Sequence, residues 1–131
     1  MVTDDGESSQ NLAKSIAAAI TPPLFDGYSV SVMKADAFYG TDILPAHAFF
    51  FGCDAPSPSS FDYAKLLFER INLARRPCGI FSSNPKALKY LARTISPSGA
   101  SIGRPLLAKA DAPDAAKLGE WIKGVLEGGS R

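Results

Sequence analysis

Two short, unbroken apolar runs do most to constrain this chain: Ala48-Phe49-Phe50-Phe51 ahead of Gly52, and Cys78-Gly79-Ile80-Phe81 ahead of Ser82-Ser83. A strand with one solvated face alternates apolar and polar residues, whereas a strand covered on both faces does not, so each run predicts a central strand of a parallel sheet. Helical spacing follows each of them. After the first, Phe61, Ala64, Leu67, Phe68 and Ile71 form a stripe, with Ser59 or Ser60 as its cap. After the second, Asn84 caps and Pro85 opens a helix whose Leu88, Leu91 and Ile95 share one face.

The remaining segments continue the same alternation. Leu12, Ala13, Ile16, Ala17 and Ile20 recur at helical spacing, which predicts a first helix over Ser9 to Ile20, ended by Pro22-Pro23. Tyr28, Val30 and Val32 alternate with serines after Gly27 and predict a strand. Asp36 to Pro45 reads as a loop with a short helical turn. Ile102 to Ala108 reads as the last strand, confined to a sheet edge by Pro105, and Asp111 to Glu127 as a closing helix with Leu118, Trp121, Ile122 and Val125 inward. Residues 128–131 are expected to fray. Regular alternation of this kind predicts an α/β fold, a doubly wound open parallel sheet with helices on both faces. Four full strands are expected. Met1-Val2-Thr3 supplies a possible stub of strand one, or else the coding start lies upstream.

A chain of 131 residues with 46% apolar content can bury one core, so residues 1–131 are expected to form a single domain. Fourteen basic and thirteen acidic side chains leave a formal charge of +1, too little to draw nucleic acid or an anionic membrane. No basic n-region, long apolar h-region or membrane-length run is present, and a cytoplasmic location is expected. Cys53 and Cys78, without a CxxC spacing or nearby histidines, predict two reduced thiols and no metal site. The single histidine, His47, is expected to be structural.

In an open parallel sheet, ligands bind outside the carboxyl ends of the strands where the strand order reverses. Three corners of this chain must meet there: Thr3 to Ser9, Cys53 to Ser60, and Ser82 to Asn84. All are rich in small polar residues. In the first corner a glycine lets backbone approach an anion, serine hydroxyls can donate, and the free N–H groups opening a helix add a positive dipole end.

At these corners the sequence resembles the flavodoxin-like family. GESSQNLAKSIAAAI is similar to that family's first phosphate loop and helix, FFFGCDAPS to its third strand and flavin-flanking loop, and GIFSS to its fourth strand. GASIGRPLLAK and the later LGEW are similar to its last strand and helix. The resemblance implies FMN as cofactor, and a role as an electron carrier or accessory flavin domain with no catalytic residue of its own and a possible redox partner protein. It assigns the phosphate to Thr3, Gly6, Glu7, Ser8 and Ser9, and the ring to loops carrying Cys53, Asp54, Ala55, Pro56 and Ser57, and Ser82, Ser83 and Asn84. Thr3 then matches the family's first loop hydroxyl, Gly6 its glycine and Ser8 its last hydroxyl, while Asp5 stands where a threonine is expected. A carboxylate about 4 Å from a phosphate repels it by about 1 kcal/mol even in bulk water. Asp4 and Glu7 are expected to face outward. No aromatic residue precedes Phe61 in the second corner or Tyr90 in the third.

Two other readings use the same residues. Asp4 and Asp5, Asp54, Ser82 or Ser83, and Arg104-Pro105 occupy the places of a phospho-receiver's acids, hydroxyl and cation, in which the acids would hold Mg²⁺ and Asp54 would accept a phosphoryl group. Arg104 there replaces a lysine. Alternatively the domain has lost FMN and serves as an interaction or regulatory module, with Ser8 or Ser9, Ser59 or Ser60, and Asn84 acting only as helix caps.

Overall fold

The computed structural model describes residues 1–4, 6–20, 27, 29–108 and 114–127. Asp5, Tyr28, the expected helix start at Asp111 and the expected frayed end at 128–131 lie outside them. Six strands form one parallel sheet: β1 (Val2–Thr3), β2 (Met33–Lys34), β3 (Phe49–Gly52), β4 (Pro77–Ser82), β5 (Ser101–Ile102) and β6 (Leu106–Leu107). Their order is β2-β1-β3-β4-β5, with β6 also paired to β4. The helices are α1 (Glu7–Ala19), α2 (Gly40–Ile43), α3 (Asp62–Arg70), α4 (Pro85–Ile95) and α5 (Ala115–Leu126).

The apolar runs are central strands because both their faces are covered. Along β3, successive side chains leave opposite faces of the sheet. Phe49 and Phe51 enter the core beneath α3 and α4 with Phe61, Phe68, Leu88 and Leu91, while Phe50 joins Leu12, Ile16, Leu118 and Ile122 beneath α1 and α5. In β4, Cys78 and Ile80 join the first core and Phe81 the second. Gly79 lies where a side chain has no room: a Cβ there would stand 2.6 Å from the Phe50 ring and 3.1 Å from Trp121.

The edges depart from the sequence pattern. The alternation of Val30 and Val32 does not become strand, since pairing on that side begins at Met33, where β1 supplies Val2 and Thr3 as rungs. The expected strand from Ile102 to Ala108 is split in two. β5 pairs with Pro77 and Cys78, β6 with Phe81 and Ser82, and Pro105, which has no N–H to give a ladder, lies between them. The expected serine caps also differ. Asn84 does accept the Lys86 N–H at 3.0 Å, but α1 is capped by Gly6 without a side-chain bond, and Ser59 and Ser60 lie inside a 3₁₀ turn that leads into α3.

Phe51 is the centre of the larger core, with ring centroids of Phe38, Phe49, Phe61 and Phe68 at 5.6, 5.7, 6.0 and 5.0 Å. Chemical denaturation should show Phe51→Ala destabilised by about 3–5 kcal/mol. Leu66→Ala, at a position 56% exposed on α3, should change stability by less than about 0.5 kcal/mol.

Candidate functional site

The three corners do meet at the carboxyl edge of the sheet, and one carboxylate ties two of them together. Asp4, only 5% exposed, follows directly from β1. Its carboxylate accepts the Gly6 N–H at 3.1 Å, the Ser9 hydroxyl, and the Asp54 N–H at 3.0 Å. The expectation that Asp4 faces outward is therefore corrected: three donors from both corners make an inward carboxylate tolerable. Glu7 does face solvent. Ser9 is fully buried, and its hydroxyl serves Asp4 and the Gly6 carbonyl rather than a ligand or the helix end.

The third corner is joined through Ser82 and Asn84. The buried Ser82 hydroxyl donates to the Cys53 carbonyl at 2.6 Å and accepts the Asn84 N–H at 2.9 Å. The Asn84 side-chain amide donates to the Asp54 carbonyl at 3.2 Å. Ala55, Pro56, Ser57 and Ser83 are exposed, and Thr3 is buried within β1. Cys53 is buried, and its thiol donates to the Ala55 carbonyl. Burial, with Asp4 and Asp54 beside it, pushes that thiol up to about 12, so it stays protonated and unreactive at neutral pH.

Asp54 holds the decisive position. Its Oδ2 accepts the Ser8 N–H at 3.2 Å, in the first turn of α1, where free N–H groups and the helix dipole favour an anion. The contact needs Gly6, since a Cβ there would stand 2.1 Å from the same oxygen. Asp54 Oδ1 is buried without a hydrogen-bond partner among the described residues. Burial, and then the nearby Asp4 charge, raise the Asp54 carboxyl above its ordinary range, while the Ser8 and Ser9 N–H groups pull the other way. The arrangement is an anion cradle filled by the chain's own carboxylate.

The aromatic rings of Phe61, Tyr63 and Tyr39, the nearest candidates to stack on a flavin, do not line the cradle. Phe61 is core, Tyr63 packs on Phe38, and Tyr39 is 69% exposed. Arg104 is exposed, and its backbone carbonyl takes the Trp121 indole N–H at 2.6 Å; no ion pair joins its side chain to Asp4 or Asp54 among the described residues. Nor do the described residues contain a group of three or more His, Cys, Asp or Glu side chains able to hold a metal ion.

No protein-family model matches the sequence, and no curated protein does. Solved structures do match. A short-chain flavodoxin associated with a bacterial microcompartment is 11% identical, with a TM-score of 0.80 over 96% of this chain and 94% of that one. The chain has a flavodoxin-like fold. Oxidised Flavodoxin 2 from Bacillus cereus is similar at 11% identity and a TM-score of 0.74, again over 96% of this chain and 94% of that one. A flavodoxin of Streptococcus pneumonia TIGR4 is similar at 15% and 0.69, over 97% and 92%.

In a flavodoxin-like fold read with FMN, the phosphate belongs at the start of α1, where Asp54 is seated. A phosphate monoester carries about −1.5 to −2 charges, and it would enter beside Asp4 as well as Asp54. The residues of the cradle do not fit that group while Asp54 is in place. No helix among the described residues is long and apolar enough to cross a membrane.

The raised Asp54 carboxyl has a definite consequence for stability. The folded state favours its neutral form, so the associated stability is full below the ordinary value of 3.8 and is lost as pH rises through the higher folded value. Asp54→Asn keeps an acceptor for Ser8 without the charge. Melting curves should show the variant more stable than wild type at pH 7, with the two converging below the unfolded-state value.

Proposed function

We propose that this chain is a flavodoxin-fold domain that works without FMN, as an interaction or regulatory module, with its phosphate cradle sealed by Asp54. One observation carries the reading: the Asp54 carboxylate accepts the Ser8 N–H at the opening of α1. An internal anion there satisfies the helix end and adds a repulsive charge to any incoming phosphate. The exposed Ala55-Pro56-Ser57 loop and Ser83 bring no aromatic ring to stack on an isoalloxazine.

FMN binding, with electron transfer or an accessory flavin role, is the second reading. It is supported by the likeness to solved flavodoxins along 96% of the chain, and it requires Asp54 to leave the cradle. The receiver reading gains from the meeting of Asp4 and Asp54. It loses from the exposed Arg104, which brings no cation to the pair.

Titrating the purified chain with FMN, followed by flavin fluorescence quenching and by melting temperature, separates these outcomes. The proposed reading expects neither quenching nor a thermal shift at micromolar FMN. Saturable uptake by wild type would overturn it in favour of the flavin reading, and Mg²⁺-dependent phosphorylation of Asp54 by a small phosphodonor would establish the receiver.

A further inference from the structure

Large apolar side chains left in water gather on one side of the molecule, along α3. Leu66 is 56% and Tyr63 40% exposed on that helix, and Tyr39, just ahead of α2, is 69% exposed. The Phe38 ring packs 5.5 Å from Tyr63, and Gly40 lies against Leu67 and Ile71, so Tyr39, between them in the chain, stands beside α3. Ala64 and Phe68 turn the inner side of α3 into the core. Leu66 is two residues from each, about 200° around the helix, and so lies at the middle of the outward side.

The charges on that side are ordered by sign. Asp62, Leu66 and Arg70 follow one another at intervals of four, which sets them in a single row of the helix surface. All three are exposed, and neither Asp62 nor Arg70 forms an ion pair with another described residue. An acid at the first turn and a base at the last suit the helix dipole, but the dipole gives no reason for a leucine between them. Lys65 and Glu69, also exposed, flank the row with opposite charges. Acid, apolar centre, base is an order that complements itself when reversed. Self-complementarity is the requirement of a two-fold contact between identical subunits.

We propose that α3 pairs with α3 of a second copy of this chain, the two helices antiparallel about a two-fold axis that passes between their Leu66 side chains. Direction follows from charge. An antiparallel pair brings Asp62 of each copy to Arg70 of the other, twice over, whereas a parallel pair would set acid against acid and base against base. The crossing follows from the spacing, because rows of residues four apart lie side by side when two helices cross at about 50°. Tyr63 and Tyr39 then border the leucine contact on one flank. Strength follows from size. A helix face of nine residues, about 13 Å long, is less than the roughly 800 Å² per partner of a standard interface supplies, so the dimer forms in the micromolar-to-millimolar range.

Sedimentation equilibrium of the full chain, from about 10 µM to about 1 mM, tests the pairing. Wild type should show a monomer–dimer equilibrium that weakens severalfold between about 0.02 M and about 0.5 M salt. Leu66→Glu should weaken it at least about tenfold. The Asp62→Arg variant has a wholly basic row and the Arg70→Asp variant a wholly acidic one, so each alone should remain monomeric. Mixed in equal amounts, the two should dimerise, which a loss of folding could not produce; circular dichroism checks the helix content of each. A wild type that stays monomeric at about 1 mM, an unchanged dimer in Leu66→Glu, or no association in the mixture would each overturn the proposal. No group of the Asp54 cradle takes part, so the outcome is decided independently of FMN.

Discussion

The buried carboxylate of Asp4 is the interaction on which the carboxyl edge of this sheet depends. A carboxylate withdrawn from water is costly unless its oxygens are met by donors, and here they come from Gly6, Ser9 and Asp54. The first two fix the turn from β1 into α1. The third reaches fifty residues along the chain and draws the end of β3 against that turn. Ser82 and Asn84 then bind the β4 corner to the same segment through the Cys53 and Asp54 carbonyls. Strand ends that would otherwise be separate loops become one cross-linked edge.

That cross-linking determines what the edge can hold. Once the Asp54 N–H is bonded to Asp4, the Asp54 side chain meets the first turn of α1, and Gly6 leaves the space it needs. The free N–H groups of a helix start attract anions of any source. An internal carboxylate has an advantage over a dissolved phosphate because it does not lose translational freedom on binding. The same geometry keeps Cys53 protonated and inert, because the two carboxylates oppose a thiolate beside them. In a fold shared with solved flavodoxins at 11–15% identity, the opening of α1 is met here by the chain's own carboxylate.

The central strands were legible in the sequence because burial on both faces leaves a local mark: Phe49 to Phe51 and Cys78 to Phe81 need no distant information to be read. Asn84-Pro85 was equally legible, since the cap and the first helical residue are adjacent. The edges were less so. Val30 and Val32 have strand periodicity, but pairing depends on how many rungs β1 offers, and Pro105 marked an edge without revealing that the strand breaks around it. The inward turn of Asp4 was not legible at all. Its burial is made possible by donors at positions 6, 9 and 54, and nothing in a local pattern distinguishes such a carboxylate from a solvated one. The corner residues Gly6, Ser8, Ser9, Asp54, Ser82 and Asn84 were correctly brought to one place by topology, yet their bonds run to one another.

The central claim is that the Asp54 carboxylate sits on the opening N–H groups of α1, and the Ser8 amide reports it directly. Its chemical shift should be followed by ¹H–¹⁵N NMR from pH 7 downward in wild type and in Asp54→Asn. The account predicts a Ser8 titration with an inflection above the ordinary aspartate value of 3.8, absent in the variant. A Ser8 amide that stays flat in wild type, or that titrates identically in both proteins, would contradict it.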